Sequence, residues 1–219
     1  MSAQRLPASA PARQWPLGGR AAHEIGGLRF EDCCARARFG CKGPEAPAWL
    51  SRCGYTVPSQ PNHAQVDDRG VLVARLALSE FLIEAVDGGA EAVATSVAEL
   101  LSSANPTGVY PVVRQDVVIS LAGTALNSLL RQICSVDFSS LLERAGSDAG
   151  PVVLTSMIGV GVVAWPRRAS SGASLTLWLD PSFGHYFCTT LLEVAEGIAG
   201  TPERGERDHS HQVEHTHGA

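Results

Sequence analysis

The sequence predicts an α+β fold built from two related halves, each a ferredoxin-like strand–helix–strand–strand–helix unit. Two observations carry this. A strand, a glycine and an apolar helical stripe recur at the same offset in both halves. Each stripe is followed by a hairpin pattern and then a second amphipathic helix.

In the first half, a short strand at Arg38 to Lys42 leads through Gly43-Pro44 into a helix. There Ala46, Trp49, Leu50 and Cys53 fall at i, i+3, i+4 and i+7, one apolar face at helical period. In the second half, Val117 to Leu121 leads through Ala122-Gly123-Thr124 into Leu126, Leu129, Leu130 and Ile133, at the same spacing. Each glycine lets strand turn tightly into helix where a side chain would clash. Pro44 suits a first helical turn, and Thr124 suits an N-cap.

Val71 to Leu76 and Glu80 to Val86 then read as a hairpin turning near Ala77–Ser79. Val152 to Trp165 and Ser174 to Leu179 read as a longer hairpin around Pro166–Gly172. The second helices follow, with Val93, Val97, Leu100 and Leu101 on one face and Phe187, Leu191, Val194 and Ala195 on the other helix's face. A short extra strand closes each unit. The division expected is a flexible N-terminal arm at 1–27, halves at 28–105 and 106–200, and a disordered His-rich tail at 201–219. Pro7, Pro11 and Pro16 with two Gly-Gly pairs make the arm. Trp15 and Leu17 either dock it on a partner or the body, or leave it loosely ordered.

Composition narrows the function classes. Lys+Arg (17) fall below Asp+Glu (22), which argues against nucleic acid. Charged residues are only 18% of the chain, which suits a surface partly hidden against a partner or a plain Ala/Gly/Val bias. No apolar run reaches the length of a membrane helix, and no signal-peptide stretch follows Arg5 or Arg13, so the expectation is a cytoplasmic protein. The six cysteines form no C-x-x-C pair or zinc spacing, and Cys41, Cys53 and Cys134 read as buried reduced thiols.

No site residue emerges: none is assigned as catalytic, cofactor-binding or metal-ligating. Gly159-Val160-Gly161 runs into Val162 and Val163 and reads as strand, not a dinucleotide loop. His185 and Cys188 are i and i+3 with no carboxylate to orient them, an ordinary helical pair. Asp180 before Pro181 reads as an N-cap and Asp137 as a cap or turn. Asp116, next to Gln115, reads as an exposed strand carboxylate, with a ligand-facing carboxylate as the alternative. Arg75 and Arg114 read as ion-pairing residues, with contact to an anionic ligand as the alternative. His209, His211, His215 and His217 give the tail adventitious metal affinity.

Three segments carry a family resemblance: Arg38-Phe39-Gly40-Cys41-Lys42-Gly43-Pro44; Val113-Arg114-Gln115-Asp116 with Ser120-Leu121-Ala122-Gly123; and Leu154-Thr155-Ser156-Met157. With Val73-Ala74-Arg75-Leu76, they resemble the gamma subunit of heterotetrameric sarcosine oxidase over residues 30 to 197. That family is similar to the folate-binding domain of aminomethyltransferases, including the glycine-cleavage T protein. The resemblance implies an aminomethyltransferase folate-binding-domain-like fold and a non-catalytic subunit supporting the assembly of flavin-bearing subunits in sarcosine catabolism. It implies FAD, FMN, NAD and tetrahydrofolate on partner subunits, with none bound by this chain, and a hetero-oligomer with the other oxidase subunits. The alternatives are a folate-binding aminomethyltransferase-like protein and an accessory protein for iron–sulfur maintenance or tRNA modification.

Overall fold

The computed structural model describes residue 17 and residues 22–102, 106–169 and 172–200. Most of the expected arm, including Trp15, lies outside the described residues, as does the tail at 201–219 with its four histidines. In chain order the elements are β1 (Ala22–Ile25), β2 (Leu28–Asp32), β3 (Arg38–Lys42), α1 (Ala46–Arg52), β4 (His63–Val66), β5 (Val71–Ala77), β6 (Glu80–Ala85) and α2 (Ala90–Leu100). There follow β7 (Tyr110–Val112), β8 (Val117–Gly123), α3 (Leu126–Ile133), α4 (Ser139–Arg144), β9 (Ala149–Pro151), β10 (Val153–Met157), β11 (Val160–Ala169), β12 (Gly172–Leu179) and α5 (Gly184–Ala199).

The repeat is present and carries the extra strand in each unit. One sheet contains β3-β6-β5-β4 and the other β8-β12-β11-β10, so equivalent strands occupy equivalent places. All pairings are antiparallel. The strand that precedes each repeat crosses to the other sheet. β2 pairs β8, and β7 pairs β3. β9 likewise joins β4. The sheets are therefore shared across position 105/106.

The two repeat glycines make this exchange possible. Gly43 (φ +130) and Gly123 (φ +119) lie in backbone conformations that L side chains rarely adopt. A Cβ on Gly43 would strike the carbonyl oxygen of Gly108, just before β7. A Cβ on Gly123 would strike the carbonyl oxygen of Gly27, just before β2. Each glycine thus makes room for the strand arriving from the other half.

Strand alternation divides the core into layers. Val71, Val73, Phe81 and Ile83 face α1 and α2, while Val117, Ile119, Leu121, Leu175 and Leu177 face α3 and α5. The opposite faces, with Leu72, Ala74, Leu82, Val118, Trp165 and Trp178, meet in a third cluster between the sheets. The order is helices, sheet, sheet, helices. The stripe of α3 is wholly buried, and each such leucine contributes about 1.5–3 kcal/mol of burial.

Several local expectations change. Residues 22–25 of the expected arm are a strand, with Gly26 and Gly27 at positive φ closing its turn, and Leu17 is buried in the second-half core. Pro47, not Pro44, occupies the first turn of α1, and Thr124 makes no capping bond because the N-cap of α3 is Ala125. Val152 to Trp165 is two strands, because Ile158 (φ 51) and Gly159 (φ 77) form a two-residue hairpin turn. Ile158 is held there from two sides. Its N–H donates to the Ile133 carbonyl (3.0 Å), and its carbonyl accepts from the Tyr186 hydroxyl (3.2 Å). Pro166 does not end the strand. It lies where β11 has run past β10 and pairs only β12, so its missing N–H interrupts no second ladder. Leu101 sits just past α2 and is 70% exposed, with Ser96 buried in its place.

Candidate functional site

A buried polar cluster lies where the sheets meet. Arg38 on β3 and Glu84 on β6 are cross-strand partners, and alternation turns both away from the helices into the intersheet layer. Glu84 is fully buried. It accepts from Arg38 Nε at 3.0 Å, from Arg36 Nη1 at 3.4 Å and from Trp178 Nε1 at 2.7 Å. Trp178 belongs to β12, so this carboxylate joins the sheets. Arg38 also donates to the carbonyls of Asp116 (2.8 Å), Cys33 (2.9 Å) and Cys34 (3.2 Å). Burial pushes the Glu84 carboxyl up from its usual value, opposed by Arg38, the Trp178 bond and Arg36. With every donor internal and no exposed surface, Glu84 reaches no substrate. The cluster is a clamp.

Beside the clamp, residues 113–116 connect β7 to β8. Arg114 donates to Glu80 at 3.1 Å and lies 4.0 Å from Asp116. The Asp116 side chain is 17% exposed, so it is largely enclosed and not the exposed carboxylate expected. Asp116 and Asp180 border a shallow open groove of about 480 Å³ floored by Leu154, Gly161, Val163 and Trp178. A smaller cavity of about 170 Å³ lies between Gly40, Leu101, Val113 and Arg114.

The other singled-out residues fall apart spatially. Cys188 is buried on α5 while His185 is exposed, so the pair does not share a face. Burial pushes the Cys33, Cys41 and Cys188 thiols up to about 12, which removes thiolate at neutral pH. All six cysteines lie outside any disulfide; Cys41 is buried, whereas Cys53 and Cys134 are only partly so. Asp180 caps the short turn Pro181–Phe183 by accepting from Ser182 N–H at 2.8 Å, and these bonds hold its carboxyl below the usual range. Asp137 accepts from Ser139 N–H at 2.9 Å at the start of α4, with the same effect. Arg114 is ion-paired as expected, whereas Arg75 makes no ion pair among the described residues. It donates to the carbonyls of Pro58 (3.0 Å), Ser59 (2.9 Å) and Leu78 (2.6 Å), pinning a loop, and lies over the Phe81 ring. Gly159 lies in a turn and Gly161 in β11.

Sequence reading missed the clamp. Arg38 and Asp116 stood in quoted segments, but Glu84 and Trp178 did not. One signal was available: Glu84 is a lone acid in the apolar run Phe81-Leu82-Ile83-Glu84-Ala85, where an unpaired charge is costly.

Among solved structures, a chain of heterotetrameric sarcosine oxidase from Corynebacterium sp. U-96 superposes with a TM-score of 0.66 at 19% identity. The match covers 87% of this chain and 98% of that one. The glycine cleavage system aminomethyltransferase T from Bartonella henselae matches with a TM-score of 0.53 at 14% identity. The chain has an aminomethyltransferase-type α+β fold. It spans 46% of that aminomethyltransferase and covers it with 77% of its own length. No protein-family model and no curated protein sequence matches the chain. The expected resemblance to these two groups holds at the level of this fold, which at such identity is what the superpositions establish. In the aminomethyltransferase-type fold described above, the clamp ties one repeat to the other and the acidic groove opens beside it. No described helix is long and apolar enough to cross a membrane.

Proposed function

We propose that this chain is a non-catalytic small subunit, of gamma type, in a cytoplasmic multi-subunit flavin-dependent sarcosine oxidase or related N-methyl amine oxidase. The observation that carries the reading is end-to-end correspondence with a single chain of such an assembly, 98% of which is covered. The chemistry of the side chains supports it. The buried acid is internally paired, and three buried thiols are held protonated. FAD, FMN, NAD and tetrahydrofolate then belong to the partner subunits. The groove does not fit the anionic tail of a folate or a dinucleotide pyrophosphate, because Asp116 and Asp180 rim it and no Lys or Arg lines it. The test is purification of the tagged chain from its native host. A yellow multi-subunit complex that oxidises an N-methyl amine is expected. Amine oxidation or one-carbon transfer by the lone chain would refute the proposal.

A second reading, a folate-binding aminomethyltransferase-like protein, is favoured by the overlay of 77% of this chain on the T protein. It requires the isolated chain to melt at a higher temperature with tetrahydrofolate.

A further inference from the structure

We infer that the groove at the open end of β10, β11 and β12 is where a partner subunit docks, by an apolar side chain carried between Lys or Arg residues. This rests on the multi-subunit reading above and specifies the surface and chemistry of the contact. The groove lies on the face of its sheet that elsewhere packs against the other sheet, as the floor residues Val163 and Trp178 show by also packing in the intersheet cluster. Here the cover ends. Leu154 is 54% exposed on the floor. A Cβ built on Gly161 meets no atom within 4 Å, so the groove is open over this residue.

An apolar floor facing water is the usual mark of an interaction surface, and its rim specifies the occupant. Asp116 and Asp180 stand on that rim, and no Lys or Arg lines the groove. Arg114 lies 4.0 Å from Asp116 and is shared with Glu80 at 3.1 Å, while Asp180 is exposed with no Lys or Arg among the groove's lining residues. Self-pairing of two copies through this surface would set carboxylates against carboxylates. A basic, apolar segment of another subunit satisfies both floor and rim. Phe183 (48% exposed) and Tyr186 (51% exposed) follow Asp180 directly, and the Tyr186 hydroxyl reaches the turn at the groove's end.

The test uses the tagged full chain produced in its native host, with recovery of flavin-bearing subunits measured by absorbance and mass spectrometry. Gly161→Trp fills the open space over Gly161, and Leu154→Arg sets a cation in the floor against an incoming one. Each is expected to lower recovery about tenfold or more while the melting temperature of the isolated chain stays at the wild-type value. Raising salt is expected to weaken the wild-type association by screening the rim. Leu101→Arg, a control at an exposed apolar position outside the groove, is expected to keep the partner. Wild-type recovery with both groove variants, or equal loss with the control, overturns the groove and leaves the subunit reading standing. If the wild-type chain recovers no flavin-bearing subunit, the subunit reading fails and the docking assignment fails with it.

Discussion

Glu84→Ala tests whether the clamp holds the two sheets together. The substitution removes one partner of a buried ion pair, which costs about 3–5 kcal/mol because the other charge stays buried. Arg38 keeps three carbonyl acceptors, which places its share at the low end. The Trp178 indole loses its acceptor in a dry layer, a cost of about 1–3 kcal/mol. These contributions overlap, and about 4 kcal/mol is expected in total. For a chain of this size that lowers the melting temperature by about 8–16 °C. Urea unfolding followed by far-UV circular dichroism reads the change as a lower midpoint at unchanged slope. Trp178→Phe alone removes a hydrogen bond to a charged acceptor and is expected to cost about 1.5–3 kcal/mol. The double variant should cost less than the sum, by about the worth of the shared bond. A cost below about 1 kcal/mol for Glu84→Ala, or additivity within about 0.5 kcal/mol, refutes the clamp.

Three further outcomes follow from the same structure. Glu84→Gln keeps an acceptor for Trp178 but removes titration. Because burial raises the folded carboxyl above its ordinary value of 4.5, the folded state binds the proton more tightly than the unfolded chain. Wild-type stability should therefore fall as pH rises from about the ordinary value through the folded one, and urea midpoints across pH should show that this component is missing in the Gln variant. Gly43→Ala and Gly123→Ala each drive a Cβ into the carbonyl of the strand arriving from the other half. Each is expected to cost more than about 2 kcal/mol, with faster hydrogen exchange in β7 for the first and in β2 for the second. With thiols held near 12, the thiolate fraction at pH 8 is on the order of 10⁻⁴, so a thiol-reactive dye should label Cys53 and Cys134 at most in the native chain and all six cysteines in denaturant.

The helical stripes of α1 and α3 and the β5–β6 hairpin were legible because each reports a local period, and local periods survive whatever the chain packs against. What was illegible depended on distant partners. Leu101 completes a helical pattern as well as Leu100 does, yet only Leu100 meets the core. Pro166 reads as a strand end, and only the length of β10 beside it shows why it is tolerated. Gly26 and Gly27 signal looseness in isolation, but form a turn once β2 has a sheet to join.

The exchange of β2 and β7 links these points to the site. A repeat whose units were merely placed side by side would need its intersheet layer alone to hold them together. Here each sheet completes itself with a strand from the other half, and the same chain segments then deliver the clamp. Cys33 and Cys34 follow β2 and Asp116 precedes β8, and all three give Arg38 their carbonyls. Arg38 can thus sit buried with its charge satisfied because strand exchange brings backbone acceptors from the second-half sheet to its guanidinium. Glu84 and Trp178 complete the same connection from the remaining sides. Arg38, Glu84 and Trp178 are therefore committed to joining the two sheets, whereas the uncovered end of the second sheet, with its open Gly161 and acidic rim, is a surface still able to receive something else.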